Sequence, residues 1–238
     1  MMGEVVGLSK VAMNLDSALH TFTHKLARGG MLLVLCFSGF VAAQAAGTVD
    51  ASSVHARIDE ARSNPALEKQ LLGTGRRVAA VCANCHGDKG QSSSAETPVL
   101  AGQNPDYLVD QVRKYIDGRR RNMFMEGMLK ALDRDETAGM VLFYAAQSTD
   151  PQPQQSPALV EKGRNYYAKV CVACHGVDGR GTASMPRLAG QHPGYVLASL
   201  NHFKQRDGVR SSPQMEMVVS QMTEADMRAV AAYVAALP

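Results

Sequence analysis

The sequence contains no tryptophan and only seven tyrosines and six phenylalanines in 238 residues. A domain with so few aromatic rings has to fill its core by other means. No charge of one sign dominates either, since the formal net charge is only +3. This balance argues against a nucleic-acid-binding protein, which would carry a strongly basic surface. The apolar content of 45% is ordinary for a globular protein, and the length allows one large or two small domains.

The apolar run near the N-terminus, Met31–Ala43, is too short to predict a transmembrane helix, which needs about 20 apolar residues. Lys25 and Arg28 precede it, and small residues around Ala45 follow it as a cleavage site. This is the layout of a secretory signal, so we expect residues 1–45 to be removed after export. The alternative is that the run is retained as a membrane anchor.

Two long stretches of the chain repeat the same succession of motifs. Three pairs of matching residues have nearly the same offset: His86 and His175 (89 residues), Gln103 and Gln191 (88), and Leu132 and Met222 (90). An offset that stays almost constant through both copies indicates a tandem duplication.

A segment rich in proline and polar residues, 148–158, separates the copies and predicts a linker. We therefore expect one domain at residues 73–147 and a second at 159–238. Residues 46–72 are helical in character without a counterpart in the second copy, and we treat them as an N-terminal extension. Apolar residues at helical spacing, with no convincing strand alternation, predict an all-α fold. The predicted helices cover residues 75–81, 105–117 and 133–146, and then 163–170, 194–205 and 223–236, the last with Thr223 as N-cap.

Each copy carries two cysteines followed directly by a histidine: Cys82-Ala83-Asn84-Cys85-His86 and Cys171-Val172-Ala173-Cys174-His175. Cysteines at i and i+3 and a histidine at i+4 project from one side of a helical turn. Two thiols can then form thioethers to the vinyl groups of a haem while the imidazole reaches its iron. The motifs therefore predict two covalently bound haem c groups.

Three other uses of the cysteines are weaker. A thioredoxin-like pair needs a βαβ context, which the sequence does not indicate. A four-cysteine zinc site would join two repeats that each carry a complete unit. Two disulfides would leave the histidines unexplained. The haem interpretation accounts for every member of both motifs.

Each iron needs a second axial ligand from a later part of the chain. Six methionines are candidates: Met123, Met125 and Met128 in the first copy, and Met215, Met217 and Met222 in the second. Met125 and Met215 lie 90 residues apart, which matches the local offset of the repeat. The repeat therefore selects these two as iron ligands, since histidine–methionine ligation is common in c-type cytochromes. We interpret the unmatched methionines as core residues.

Other polar residues near the motifs leave two interpretations open. A ligand histidine usually donates its second ring N–H to a carbonyl, and the carbonyls of Pro98 and Pro186 are our candidate acceptors. The run Arg119-Arg120-Arg121 could pair with haem propionates, although a solvated surface run is the more frequent outcome. We interpret three histidines without a matching partner as surface or packing residues: His55, His192 and His202.

Both C-x-x-C-H-G motifs and the segments Pro98 to Tyr107 and Pro186 to Tyr195 resemble the dihaem cytochrome c4 family. The resemblance covers residues 75–237. It implies two tandem class I cytochrome c domains, each wrapped around one covalently bound haem, with the family's distal methionine at Met125 and Met215. It also implies a periplasmic carrier between a membrane quinol-oxidising complex and a terminal oxidase or reductase, with peripheral membrane contact compatible with that role.

Two alternative functions remain open. The chain could be a dihaem enzyme of the peroxidase or thiosulfate dehydrogenase type, which needs an iron with an open or different axial position. It could also be an electron-transfer subunit of a membrane complex, which retention of the Met31–Ala43 run would favour. A matched methionine in both copies favours the electron carrier over the enzyme.

Overall fold

The computed structural model describes residues 50–150, 152 and 156–238. The predicted signal segment, residues 46–49 of the predicted extension and four residues of the predicted linker (151 and 153–155) lie outside these residues. Within them the chain forms ten α-helices and no strand, which confirms the predicted all-α fold. The helices are α1 Ala51–Ser63, α2 Pro65–His86, α3 Pro105–Ile116, α4 Met123–Lys130, α5 Arg134–Ala145, α6 Pro157–Val170, α7 Val172–His175, α8 Pro193–Gln205, α9 Pro213–Val219 and α10 Glu224–Ala236. None of them is long and apolar enough to cross a membrane.

The last helix of each copy begins with a reciprocal capping arrangement. The Asp133 side chain accepts from the Glu136 backbone N–H, and the Glu136 carboxylate accepts from the Asp133 N–H. Thr223 and Asp226 repeat this arrangement at the start of α10, so the prediction of Thr223 as N-cap is confirmed. Such caps satisfy backbone donors that a helix start leaves free and fix where the helix begins.

The first and last helices of each copy cross at a close contact between backbones. A Cβ atom added to Gly75 of α2 would collide with the Gly139 carbonyl of α5. In the second copy, Gly163 of α6 meets the Ala229 carbonyl of α10 in the same way. Small residues at these crossings let the helices that carry the histidine motifs pack tightly on the final helices.

The N-terminal extension folds onto the first copy. Helix α1 contributes Val54, Ile58 and Ala61 to the first apolar core, each at most 1% exposed. Arg57 of the same helix forms two hydrogen bonds with the Asp135 carboxylate of α5, at 3.0 and 2.8 Å. The extension therefore has a structural role in the first copy that the sequence left open.

Both copies belong to one compact unit, but they hold separate apolar cores. The described part of the connecting segment is bonded to both copies. Thr149 Oγ1 donates to the Ala101 carbonyl of the first copy at 2.8 Å, and Gln152 Nε2 donates to the Gly190 carbonyl of the second at 2.9 Å. The domain boundaries given above stay a prediction.

Candidate haem-attachment sites

The two cysteine–histidine motifs occupy matching helix ends. Helix α2 runs unbroken through Cys82 and Cys85 and ends at His86. In the second copy the helix breaks at Cys171, and the short α7 completes the motif up to His175. The next residue in each case is a glycine with φ of 77°, a conformation that glycine adopts without strain.

The first thiol of each motif is half-buried against the apolar core, and the second is exposed. Burial raises the pKa of the Cys82 thiol, and it raises that of Cys171 to about 11. A thiol of this kind stays protonated, unlike the thiolate of a reactive redox pair. None of the four is in a disulfide, and the described residues hold no group of three or more histidine, cysteine or acidic side chains arranged to bind a metal. The geometry of the four cysteines therefore does not support the zinc, disulfide or thioredoxin-like alternatives.

Both motif histidines are buried and oriented by a proline carbonyl. His86 Nδ1 lies 3.0 Å from the Pro98 oxygen, and His175 Nδ1 lies 3.2 Å from the Pro186 oxygen. The carbonyls can only accept, so Nδ1 carries the proton and Nε2 is the atom available to an iron. Burial lowers the pKa of both imidazoles, against the opposing effect of the carbonyls. This favours the neutral ring that binds iron, and both predicted carbonyl acceptors are confirmed.

Met125 and Met215 occupy the same position in two short helices. Each is the third residue of its helix, α4 or α9, and each donates its backbone N–H to the N-cap side chain, Asn122 or Ser212. Each side chain is half-buried against the core of its own copy, and the first cysteine of that copy's motif packs against the same core. The two short helices were not predicted, but they place the selected methionines equivalently.

The unmatched methionines do not all fill the core. Met222 is buried as expected, but Met123 and Met217 are 90% and 68% exposed. The prediction of a core role was wrong for these two, because both fall on the outer face of a short helix that the sequence did not reveal. Their exposure makes them useful controls for the half-buried Met125 and Met215.

The arginine run does not form a uniform solvated surface. Arg119 and Arg121 are exposed, but Arg120 is buried where the two copies meet. The backbones of Arg120 and Arg210 form a single antiparallel bridge there. Arg120 donates to the Tyr195 hydroxyl at 2.8 Å, and Arg210 donates to the same hydroxyl at 2.8 Å. The interpretation as a surface run is therefore wrong for Arg120.

This cluster has a surplus of positive charge. Neither guanidinium has a carboxylate partner among the residues that the structure describes. Burial alone would raise the pKa of Tyr195, but Arg120 and Arg210 lower it to about 8. One buried and one half-buried cation around a single phenol favour a neutralising anion nearby. The propionates of a haem have that charge, so the cluster fits the group that the two motifs imply.

The hydroxyl of Tyr144 lies beside the first motif. The Tyr144 hydroxyl is buried near Cys82 and has no hydrogen-bond partner of normal geometry among the described residues. A sulfur atom is only a weak acceptor. The donor set of each copy, with two thiols, one oriented imidazole and one half-buried thioether, is the set that a c-type haem requires.

Residues that join the two copies were missed by the sequence interpretation. Gln103 and Gln191 served only to measure the repeat, yet both are buried and bonded across the interface. His192 is also buried there, with Nε2 at 2.7 Å from the Ser92 oxygen, which agrees with a packing role. The repeated Leu-Ala-Gly-Gln segment was the available signal.

The family model that matches the chain is cytochrome c, over residues 160–238. The chain is 32% identical to a cytochrome c4 of Pseudomonas aeruginosa over 177 residues, which cover 68% of this chain and 87% of that protein. It is 34% identical over 175 residues to a protein of Thiomonas intermedia named thiosulfate dehydrogenase electron acceptor, covering 67% of this chain and 80% of that one.

Among solved structures, reduced recombinant cytochrome c4 from Pseudomonas stutzeri superposes with a TM-score of 0.63 at 27% identity. The match covers 69% of this chain and 97% of that structure, so it spans both copies of the repeat. Two motif-bearing helical copies, their matched donor sets and these similarities lead to one conclusion: the chain belongs to the cytochrome c4 family, the dihaem c-type electron carriers with two covalently bound haems.

Proposed function

We propose that one haem c is attached through Cys82 and Cys85 with His86 and Met125 as axial ligands, and the second through Cys171 and Cys174 with His175 and Met215. The observation that carries this proposal is the equivalence of the two sites. In each, a histidine Nδ1 faces a proline carbonyl, and a methionine occupies the third position of a capped short helix.

Bound in this way, haem c supplies reversible one-electron transfer at its iron. The chain's own residues keep the proposed iron ligands in fixed positions. The proline carbonyls keep each imidazole in one tautomer, and the helix caps keep each thioether on its core. A methionine opposite a histidine favours the reduced iron and raises its potential. Saturated coordination at both irons supports an electron carrier rather than an enzyme.

We propose that the carrier works in the periplasm between a membrane quinol-oxidising complex and a terminal oxidase or reductase. Family membership supports this assignment, and so does the secretory character of residues 1–45. A thiosulfate dehydrogenase is a second candidate electron donor. It is supported by one similarity, since a relative 34% identical to this chain is named a thiosulfate dehydrogenase electron acceptor. To distinguish the two candidate donors, the oxidised protein is mixed with the quinol-oxidising complex or with the thiosulfate dehydrogenase, and the rate of haem reduction is followed.

The ligand assignment is tested by haem quantitation and absorption spectroscopy of the purified protein. We expect two haems per chain, and a methionine-to-iron charge-transfer absorption that falls by about half in Met125→Ala and in Met215→Ala. Met123→Ala and Met217→Ala are matched controls, because these exposed residues lie on the same two helices. An unchanged absorption in either ligand variant contradicts the assignment at that iron. A charge-transfer absorption from only one iron in the unmodified protein would favour the enzyme instead.

A further inference from the structure

Two buried glutamines connect the copies by reciprocal hydrogen bonds. Gln191 accepts from the Val99 N–H at 2.8 Å and donates to the Val99 carbonyl at 3.0 Å. Gln103 accepts from the Arg187 N–H at 2.8 Å and donates to the Arg187 carbonyl at 3.0 Å. Each glutamine is 6% exposed. The side-chain amide of each copy thus binds the backbone of the other.

The backbone that each glutamine binds belongs to the other copy's histidine support. The Val99 N–H and the Pro98 carbonyl are the two ends of one peptide group, and that carbonyl accepts from His86. The Arg187 N–H and the Pro186 carbonyl are related in the same way to His175. Each ligand histidine is therefore connected through a single peptide group to a glutamine of the opposite copy.

Hydrogen bonds in such a chain strengthen one another. A peptide whose N–H is engaged becomes a better acceptor at its carbonyl, especially where water is excluded. A stronger acceptor on Nδ1–H makes the imidazole a more basic ligand. The glutamine Oε1 is the group that engages this N–H at each site.

Each glutamine amide is itself fixed. The Gln191 Oε1 also accepts from the His192 N–H at 3.0 Å, and the Gln103 Oε1 accepts from the Asn104 N–H at 2.9 Å. The side chains of these next residues reach the other copy too, since the Asn104 Nδ2 donates to the Met185 carbonyl at 2.6 Å and the His192 Nε2 faces the Ser92 carbonyl. The glutamines therefore cannot rotate away without breaking several bonds.

We propose that Gln103 and Gln191 are crossed positioning residues: Gln191 sets the His86 hydrogen bond, and Gln103 sets that of His175. Each half of the molecule thereby controls the axial ligand of the other half's haem. This proposal rests on the haem assignment given above. The packing of the two copies against each other therefore affects the histidine hydrogen bond at both haems.

The test uses the full-length dihaem protein labelled with ¹⁵N-histidine. The quantity measured is the solvent exchange of each ligand histidine's Nδ1–H, assigned by contacts to the Pro98 or Pro186 ring. We expect Gln191→Met to accelerate exchange at His86 by up to about twofold, because loss of the bond to the Val99 N–H removes the cooperative part of the His86–Pro98 bond. We expect Gln103→Met to do the same at His175 only. The reduction potential of the affected haem should rise, because a less basic imidazole stabilises Fe(III) less.

Two further variants separate positioning from general destabilisation. Gln191→Glu retains an acceptor oxygen for the Val99 N–H and, when protonated, a donor for the Val99 carbonyl, so His86 exchange should stay slower than in Gln191→Met. Gln205→Met, an exposed glutamine on α8, is the matched control and should change neither histidine. Equal acceleration at both histidines, acceleration in the glutamine's own copy, or no change at either would overturn the proposal. A chain without two haems would overturn the haem assignment instead, which quantitation of the wild type reveals separately.

Discussion

At the scale of single residues, two tyrosines occupy comparable buried places but differ in what their hydroxyls meet. Tyr167 donates to the carbonyl of Gly176, the residue directly after His175, at 2.8 Å. Tyr144 of the first copy is equally buried, at 1% exposure, but its hydroxyl has no such acceptor. One hydroxyl therefore stabilises the turn that follows the second motif, and the other, unpaired among the described residues, carries only a desolvation cost.

We expect Tyr167→Phe to lower the free energy of unfolding by about 1 kcal/mol, because the Gly176 carbonyl loses its donor. Tyr144→Phe should be neutral or slightly stabilising, since no hydrogen bond of normal geometry is lost. Chemical denaturation of the two holoprotein variants measures both changes. An equal loss in the two variants would mean that the Tyr144 hydroxyl has a partner in the haem-loaded protein.

At the scale of secondary-structure elements, α1 gives the first copy a layer that the second copy lacks. The sequence showed helical character in residues 46–72, but no repeat partner indicated where the segment packs. Its buried face is formed by only three residues, too few for periodicity to define a partner surface. The short α4 and α9 escaped prediction for a similar reason, since eight and seven residues hold little pattern. By contrast, the long α3 and α8 agreed with prediction within a residue.

We expect Ile58→Ala to lower the free energy of unfolding by about 2–5 kcal/mol, because Ile58 is 1% exposed and its loss leaves a cavity under α1. Leu159→Ala on α6 is the control, since Leu159 is 38% exposed and its loss leaves no cavity. Denaturant titration followed by far-UV circular dichroism measures both. A loss for Ile58→Ala no larger than the control's would show that α1 does not belong to the first core.

The ion pair between α1 and α5 should make the stability of this layer depend on pH. The Arg57 guanidinium holds the pKa of the Asp135 carboxyl below its usual 3.8. A lowered folded-state pKa means that the stabilisation is present above 3.8 and is lost as the pH falls through the folded value. We expect Arg57→Gln to lower the Tm at neutral pH and to have little effect well below pH 3.8.

Arg62→Gln is the matched control for that pair, because Arg62 lies on the same helix and pairs only with an exposed Asp59. Its Tm should equal that of the wild type at every pH. A Tm difference for Arg57→Gln that persists in acid would assign the effect to helix packing and not to the ion pair.

At the scale of the whole molecule, the sequence revealed the two copies but not how they meet. The offset of 88 residues between Gln103 and Gln191 marks them as equivalents, and so does the offset of 90 between Arg120 and Arg210. Spacing along a chain describes each copy by itself. Which copy's backbone a side chain reaches depends on how the two copies pack, and spacing alone does not contain that information. The proposed haem ligands lie within one motif or one copy, which is why the sequence alone could suggest them.

Arg210 forms side-chain hydrogen bonds within its own copy and across the interface between the two copies. Arg210 donates to the hydroxyls of Tyr195 and Ser199 in its own copy and of Tyr107 in the other. We expect Arg210→Met to lower the free energy of unfolding by on the order of 3 kcal/mol, since several hydrogen bonds to a half-buried charge are lost together. In calorimetry we expect one unfolding transition for the wild type and two for Arg210→Met. Arg119→Met is the control, because Arg119 is exposed and pairs only with its neighbour Asp117. We expect electron transfer between the two haems to need the association of the two copies, so its rate should fall in Arg210→Met and not in Arg119→Met. A wild-type transfer rate in an Arg210→Met protein that unfolds in two transitions would show that transfer does not depend on this contact.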